Sequence, residues 1–138
     1  MRHLLLLLFI GVATLGFGQK MRFKVAGLKD TTVFLTRYYG KGLYYADTAQ
    51  SKSGVIEFDT KNLKPGMFAL YMPGQKYFEF IVNNNEEISI ETAESDLIGQ
   101  MKVKKSEENK VFVSYVQFLQ TQRLKATGLK TTQEGLKK

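Results

Sequence analysis

Between Met21 and Lys104 apolar and polar residues alternate with a period of two, and this pattern limits the possible folds more than any other feature of the chain. Successive side chains of a strand point to opposite faces, so such a segment buries one face and wets the other. Phe23 and Val25 alternate with Arg22 and Lys24, and Ile56 and Phe58 share one face of a short run. Val33, Phe34 and Leu35 sit in a β-branched and aromatic stretch, residues 31–39. Gly27 with Lys29-Asp30, Gly40-Lys41-Gly42, Ser51 to Gly54 and Pro65-Gly66 punctuate these runs at the short spacing of an antiparallel all-β domain.

The middle of the chain reads as two hairpins in series. Residues 67–72 lead through Pro73-Gly74-Gln75 into 76–82, and then through Asn83-Asn84-Asn85 into 87–92. Pro presets φ for a turn, and Gly and Asn tolerate left-handed turn positions. Phe78, Phe80 and Val82 face one way and Tyr77, Glu79 and Ile81 the other, with Ile88 and Ile90 continuing the apolar face. A slip of one residue would expose that whole face, so the register is firmly specified.

After Lys105 the period changes. Ser106 offers an N-cap hydroxyl, and Glu107 and Glu108 complement the helix dipole in the first turn. Val111, Phe112, Tyr115, Val116, Phe118 and Leu119 fall in one broad stripe at 3.6 residues per turn, the expected sheet-facing side of an amphipathic helix over 106–126. Val113 and Leu124 lie nearly opposite and call for a further partner. Residues 127–138 are polar and basic, with Gly128 and Gly135 as breakers, and read as a linker or the start of another domain. The expected fold class is mainly β: an antiparallel β-sandwich-like domain over 19–105 followed by one C-terminal amphipathic α-helix.

The first residues follow a different logic. Met1-Arg2-His3 opens with a positive charge, an apolar run follows from Leu4 to Ala13, and Gly16-Phe17-Gly18 puts small residues where a secretory peptidase reads. Residues 1–18 are therefore expected to be a signal peptide, with the chain exported to the periplasm or cell envelope. The run is shorter than the roughly 20 residues of a spanning helix, and no membrane span is expected. Cleavage there leaves 120 residues with 19 basic and 13 acidic side chains, a net charge of +6.

It also removes the sole histidine, His3, from a chain without cysteine. Thiol nucleophiles, dithiol exchange, Ser-His triads and zinc sites with nitrogen or sulfur ligands all need residues that the remainder lacks. This chain alone is expected not to be an enzyme, and to use no cofactor and no metal. Its fold must stand on its core, and a domain of 120 residues buries roughly two thirds of its unfolded surface.

Charge is segregated: residues 19–78 carry +6, residues 79–96 carry −6 and residues 97–138 carry +6. Nucleic-acid binders usually show a Lys/Arg stripe with interleaved aromatics on a recognisable module, and the expected export signal places this chain away from cytoplasmic nucleic acid, so no nucleic-acid partner is expected. Lys102, Lys104 and Lys105 instead fit the lysines that protect an edge strand from pairing.

Tyr38, Tyr39, Tyr44 and Tyr45 are the candidate binding residues, four tyrosines within eight positions around Gly40-Lys41-Gly42. Tyrosine offers flat apolar area with a polar tip, so tyrosines around a loop suit a ligand surface, and cross-strand aromatic pairing is the structural alternative. Alternation splits each adjacent pair between two faces, which sends one member of each toward the core. Glu57, Asp59, Glu79 and Glu91 lie on candidate strands where a glycosidase pair could form, although no spacing selects a pair. Glu86, Glu87, Glu91, Glu94 and Asp96 could offer oxygens to a hard cation, without a calcium-loop pattern. Asp47-Thr48 fits local backbone hydrogen bonding.

The order of the landmarks adds a family. Gly27-Leu28-Lys29-Asp30-Thr31-Thr32, Tyr38-Tyr39-Gly40, Asp47-Thr48-Ala49, Gly54, Pro65-Gly66, Lys76-Tyr77-Phe78-Glu79-Phe80-Ile81-Val82, and Met101-Lys102-Val103-Lys104 running into Ser106-Glu107-Glu108-Asn109 form the series. It resembles the N-terminal domain of unknown function that precedes a thioredoxin-like domain in exported Bacteroidetes-type thiol-disulfide oxidoreductases. The resemblance implies a β-sandwich-like module, an envelope location and a helical connection into a thioredoxin fold carrying Cys-x-x-Cys. No redox residue carries over, because these 138 residues contain no cysteine.

Two functions follow as expectations. One is a non-catalytic accessory domain giving partner or substrate contact, spacing or dimerisation, with a downstream thioredoxin-like domain or an envelope protein as partner and a homodimer through the sheet as a further arrangement. The other is a stand-alone envelope module that binds a glycan or peptide through the tyrosine-bearing strands.

Overall fold

The alternation seen in the sequence becomes burial in the computed structural model, which describes residues 20–83 and 86–137. The strands are β1 (Lys20–Ala26), β2 (Thr32–Tyr39), β3 (Gly42–Gln50), β4 (Val55–Asp59), β5 (Gly66–Met72), β6 (Lys76–Val82), β7 (Ile88–Ala93) and β8 (Lys102–Lys105). Helix α1 (Glu107–Gly135) follows. In β1, Met21, Phe23 and Val25 are buried while Lys20, Arg22 and Lys24 face solvent.

Two four-stranded sheets result, in the orders β4-β1-β7-β8 and β3-β2-β5-β6. They stack face to face through Phe23, whose ring centroid lies 4.8 Å from that of Phe80 and 5.6 Å from that of Phe78. Leu35, Ile56, Leu70, Ile88 and Ile90 complete the interior. The fold is thus mostly β, in two antiparallel-rich sheets with one C-terminal helix.

Two expectations about connectivity change. β5 and β6 form the expected hairpin, but β6 does not pair with β7. After Val82 the chain instead enters the other sheet, where β7 pairs with β8 and runs parallel to β1. A parallel pair needs a long crossover, and the second sheet supplies it between β1 and β7. Alternation could not reveal this, since Phe78, Phe80, Ile88 and Ile90 are buried alike on facing sheets. The signal peptide expected over 1–18 lies outside the described residues, as do Asn84 and Asn85 of the expected turn.

Gly54 fixes the corner between β3 and β4. Its φ is +78°, and a Cβ there would stand 2.5 Å from the Val25 carbonyl oxygen. Its own carbonyl accepts a hydrogen bond of 2.8 Å from the Val25 N–H, joining the corner to β1.

The helix differs most from expectation. It continues through residues 127–135, the segment read as a linker, and it is rolled about its axis. Val113, placed off the apolar stripe, is 5% exposed in the core, whereas Val111 on the stripe is 74% exposed. Polar anchors cause the roll. The Ser106 hydroxyl caps the helix by accepting from the Asn109 N–H at 3.1 Å. The Asn109 amide then bonds the main chain of Ile81 in edge strand β6. About two turns further along, Gln117 Nε2 donates to the carbonyls of Ile98 and Met101, both at 2.9 Å. These bonds satisfy main-chain groups at a sheet edge and its neighbouring loop, and the helix turns its amide-bearing side inward to make them.

Candidate functional site

The register of β2 against β3 shifts between Leu35 and Thr36: Leu35 pairs with Asp47 and Thr36 with Tyr45, which leaves Ala46 as an extra residue. A bulge of this kind bends and twists its strand. Asp47 holds the bend locally, accepting the Thr48 N–H at 2.7 Å, as expected for Asp47-Thr48. Beyond the bulge Arg37 pairs with both Tyr44 and Phe68, so it stands on the inner face of the sheet beside the buried Phe68.

The inner face is open at this end. A cleft of about 350 Å³ is walled by Arg37, Tyr39, Tyr44 and Tyr45 from the hairpin and by Asn62, Leu63 and Lys64 from the segment between β4 and β5. Ala46 and Phe68 complete its apolar lining. Tyr39 and Tyr44 meet edge to face with centroids 6.3 Å apart. Gly42 makes room for this, because a Cβ there would stand 2.8 Å from the Tyr44 ring. Tyr45 is held by a 2.9 Å hydrogen bond between its hydroxyl and that of Thr48.

Arg37 is the unusual member. Its guanidinium carbon lies 5.9 Å from the centroid of the Tyr39 ring, a cation–π contact. Its Nε is buried and has no hydrogen-bond partner among the described residues. An unsatisfied buried donor of this kind costs about 1–3 kcal/mol. Neither Arg37 nor Lys64 forms an ion pair among the described residues, and no Asp or Glu lines the cleft.

The structure therefore brings together Tyr39, Tyr44 and Tyr45 and separates Tyr38. Tyr38 lies on the outer face, where its hydroxyl donates to the Glu79 carboxylate at 2.5 Å. That hydrogen bond, reinforced by burial and the carboxylate charge, pushes its phenol up to about 12. Nearby, Tyr71 and Tyr77 stack with centroids 4.8 Å apart, and burial first, then Tyr77 and Glu79, raises the Tyr71 phenol. No member of either tyrosine pair enters the core, contrary to expectation: Tyr39, Tyr44 and Tyr45 are exposed and Tyr38 is half-buried on the outer face, because the hairpin continues past the covered part of the inner face. Arg37, Asn62 and Lys64 were not singled out from the sequence. Only the placement of Arg37 two residues before Tyr39, hence on the same strand face, hinted at its role.

The carboxylates are dispersed. Glu57 faces Arg22 at 3.5 Å, Glu91 faces Lys104 at 3.9 Å, and Asp59 accepts the Lys61 N–H. Glu79, on the opposite sheet, is engaged by Tyr38. Glu87 pairs with Lys105 and Glu94 with Lys76, Glu86 accepts from the Ser106 hydroxyl, and Asp96 accepts the Gly99 N–H. A second groove of about 550 Å³ runs between α1 and β6, walled by Tyr77, Phe78, Phe112, Tyr115, Val116 and Leu119 among others, with Glu79 its one carboxylate. Neither of these two clefts holds two carboxylates, and among the described residues no group of three or more metal-ligating side chains occurs. β8 is an edge strand whose lysines are exposed, the arrangement expected of Lys102, Lys104 and Lys105.

Fold and site together define a small β-sandwich module with a helix along its edge and an aromatic, cationic cleft at one end. Residues 20–112 match the family described as "Domain of unknown function (DUF4369)", and the chain belongs to it. No curated protein and no solved structure matches the chain.

Proposed function

We propose that the chain is a non-catalytic accessory domain of an exported, thioredoxin-like thiol-disulfide oxidoreductase, acting in the periplasm or cell envelope as a contact and spacing element. The observation that carries this reading is the uncovered line on α1. Val111, Phe118, Leu129 and Leu136 are all more than half exposed, and at about 100° per residue they fall within about 20° of one another along the helix. Tyr115 flanks them and is also exposed. The sandwich leaves this apolar line uncovered, and a downstream thioredoxin-like domain is the partner proposed to cover it. The landmark resemblance from Met21 to Leu124 and the absence of cysteine support the same assignment.

The test is the genomic reading frame after the codon for Lys138. Continuation into a thioredoxin-like domain with Cys-x-x-Cys is expected, and a stop codon at once would overturn the link. A second reading is favoured by the cleft at Tyr39, Tyr44 and Tyr45: an envelope module that binds a glycan or peptide there. Unchanged binding after Tyr39→Ala and Tyr44→Ala would overturn that placement.

A further inference from the structure

We infer that the cleft at the open end of the sandwich binds a carboxylate-bearing sugar residue of an acidic glycan; this rests on the second reading above and specifies its ligand. The cleft joins two features that such a ring needs. Tyr39 and Tyr44, on the inner face, supply apolar ring area and hydroxyls, matching a pyranose with an apolar face and a polar rim, and Tyr45 adds to the lining. Arg37 and Lys64 supply positive charge with no carboxylate in the lining to neutralise it.

Arg37 gives the orientation. It stands on the inner face between Tyr44 and Phe68, with its Nε buried and unpartnered among the described residues. A guanidinium offers paired N–H donors in the fork geometry that carboxylates accept. Asn62, whose amide both donates and accepts, suits a sugar hydroxyl. The cleft volume of about 350 Å³ lies at the small end of ligand pockets, which run from about 300 Å³ upward. An extended peptide would instead add to the free edge of β3 by main-chain hydrogen bonds. The bulge at Ala46 breaks the regularity of that edge, and such pairing would leave Arg37 and the inner-face cleft unused.

Isothermal titration of the purified chain with trigalacturonic acid, a hyaluronan tetrasaccharide, the methyl ester of trigalacturonic acid and hexaglutamate tests the inference. At least one acidic saccharide is expected to bind, with affinity falling as salt rises, and the ester is expected to be at least tenfold weaker than its acid. Arg37→Gln should weaken acidic-saccharide binding about tenfold. Lys64→Gln, at an exposed position, should weaken it severalfold and guards against a folding defect in the first variant. Equal binding of acid and ester would overturn the acidic class while leaving the tyrosine site standing. Saccharide binding that survives Tyr39→Ala and Tyr44→Ala would overturn both, as would no saccharide binding at millimolar concentration. Tighter binding of hexaglutamate than of either acidic saccharide would overturn the sugar in favour of a peptide.

Discussion

The side-chain amide of Asn109 pairs with both main-chain groups of Ile81, accepting its N–H at 2.8 Å and donating to its carbonyl at 2.7 Å. One side chain thus does for edge strand β6 what a further strand would do, and Asn109 itself is fully buried. Its Nδ2 also donates to the Ser106 hydroxyl at 2.9 Å, which ties the strand edge to the helix cap.

Replacing this amide therefore removes several bonds at once. Asn109→Ala is expected to destabilise the fold by about 2–3 kcal/mol, since the Ile81 groups and the Ser106 hydroxyl lose a buried partner. Asn109→Asp should cost at least as much, because it keeps the acceptor but turns a carboxylate toward the Ile81 carbonyl. Urea unfolding of both variants checks the values, and a change below about 0.5 kcal/mol for either would contradict the role.

The roll of α1 makes two neighbouring valines unequal. Val113→Ala should cost about 1.5–2.5 kcal/mol through lost burial and the cavity left behind. Val111→Ala should change stability by less than about 0.5 kcal/mol. Denaturant midpoints compare them directly, and the reverse ranking would mean the helix sits on its apolar stripe instead.

Gly54→Ala forces a side chain onto a backbone at φ +78° and within 2.5 Å of the Val25 carbonyl oxygen. A loss of about 2–3 kcal/mol is expected from strain and a displaced corner. Gly74→Ala provides the control: its φ is similarly positive, yet nothing lies within 4 Å of a Cβ there. It should cost less, and thermal unfolding of the pair separates the contact from the backbone conformation.

Tyr38 links stability to alkaline pH. Its folded phenol is raised to about 12 from an ordinary 10.0, chiefly by the hydrogen bond to Glu79. A raised value means that the neutral phenol is favoured in the folded state, so its stabilising contribution is complete below pH 10 and is lost as pH rises toward 12. In an ultraviolet titration of tyrosinate, Glu79→Gln should bring the Tyr38 phenol back toward pH 10, while Tyr71, raised chiefly by burial, still titrates late. A titration curve unchanged by Glu79→Gln would assign the Tyr38 shift elsewhere.

Much of this protein was determined by its sequence alone. Period-two alternation in Met21, Phe23 and Val25, or in Phe78, Phe80 and Val82, states which face of a strand is buried wherever that strand lies. Ser106 with Glu107 and Glu108 likewise marks a helix start, because a cap acts within one turn. The tyrosine cluster around Gly40-Lys41-Gly42 was visible as a candidate site. Its membership was not, since Tyr39 and Tyr44 share the cleft only through the pairing of two strands, while alternation carries Tyr38 to Glu79 on the other face.

Tertiary structure alone decided the rest. Identical alternation in β6 and β7 suits a hairpin and two facing sheets equally, so only long-range pairing places β7 beside β1. The helix stripe predicted a packing face from apolarity alone. At this position the unpaired main chain of Ile81 needed partners more than Val111 needed cover, because an unsatisfied buried amide costs more than an exposed valine. Asn109 and Gln117 therefore turned inward. Arg37 and Lys64 are 27 positions apart, and the folded chain joins them beside three tyrosines in one cleft.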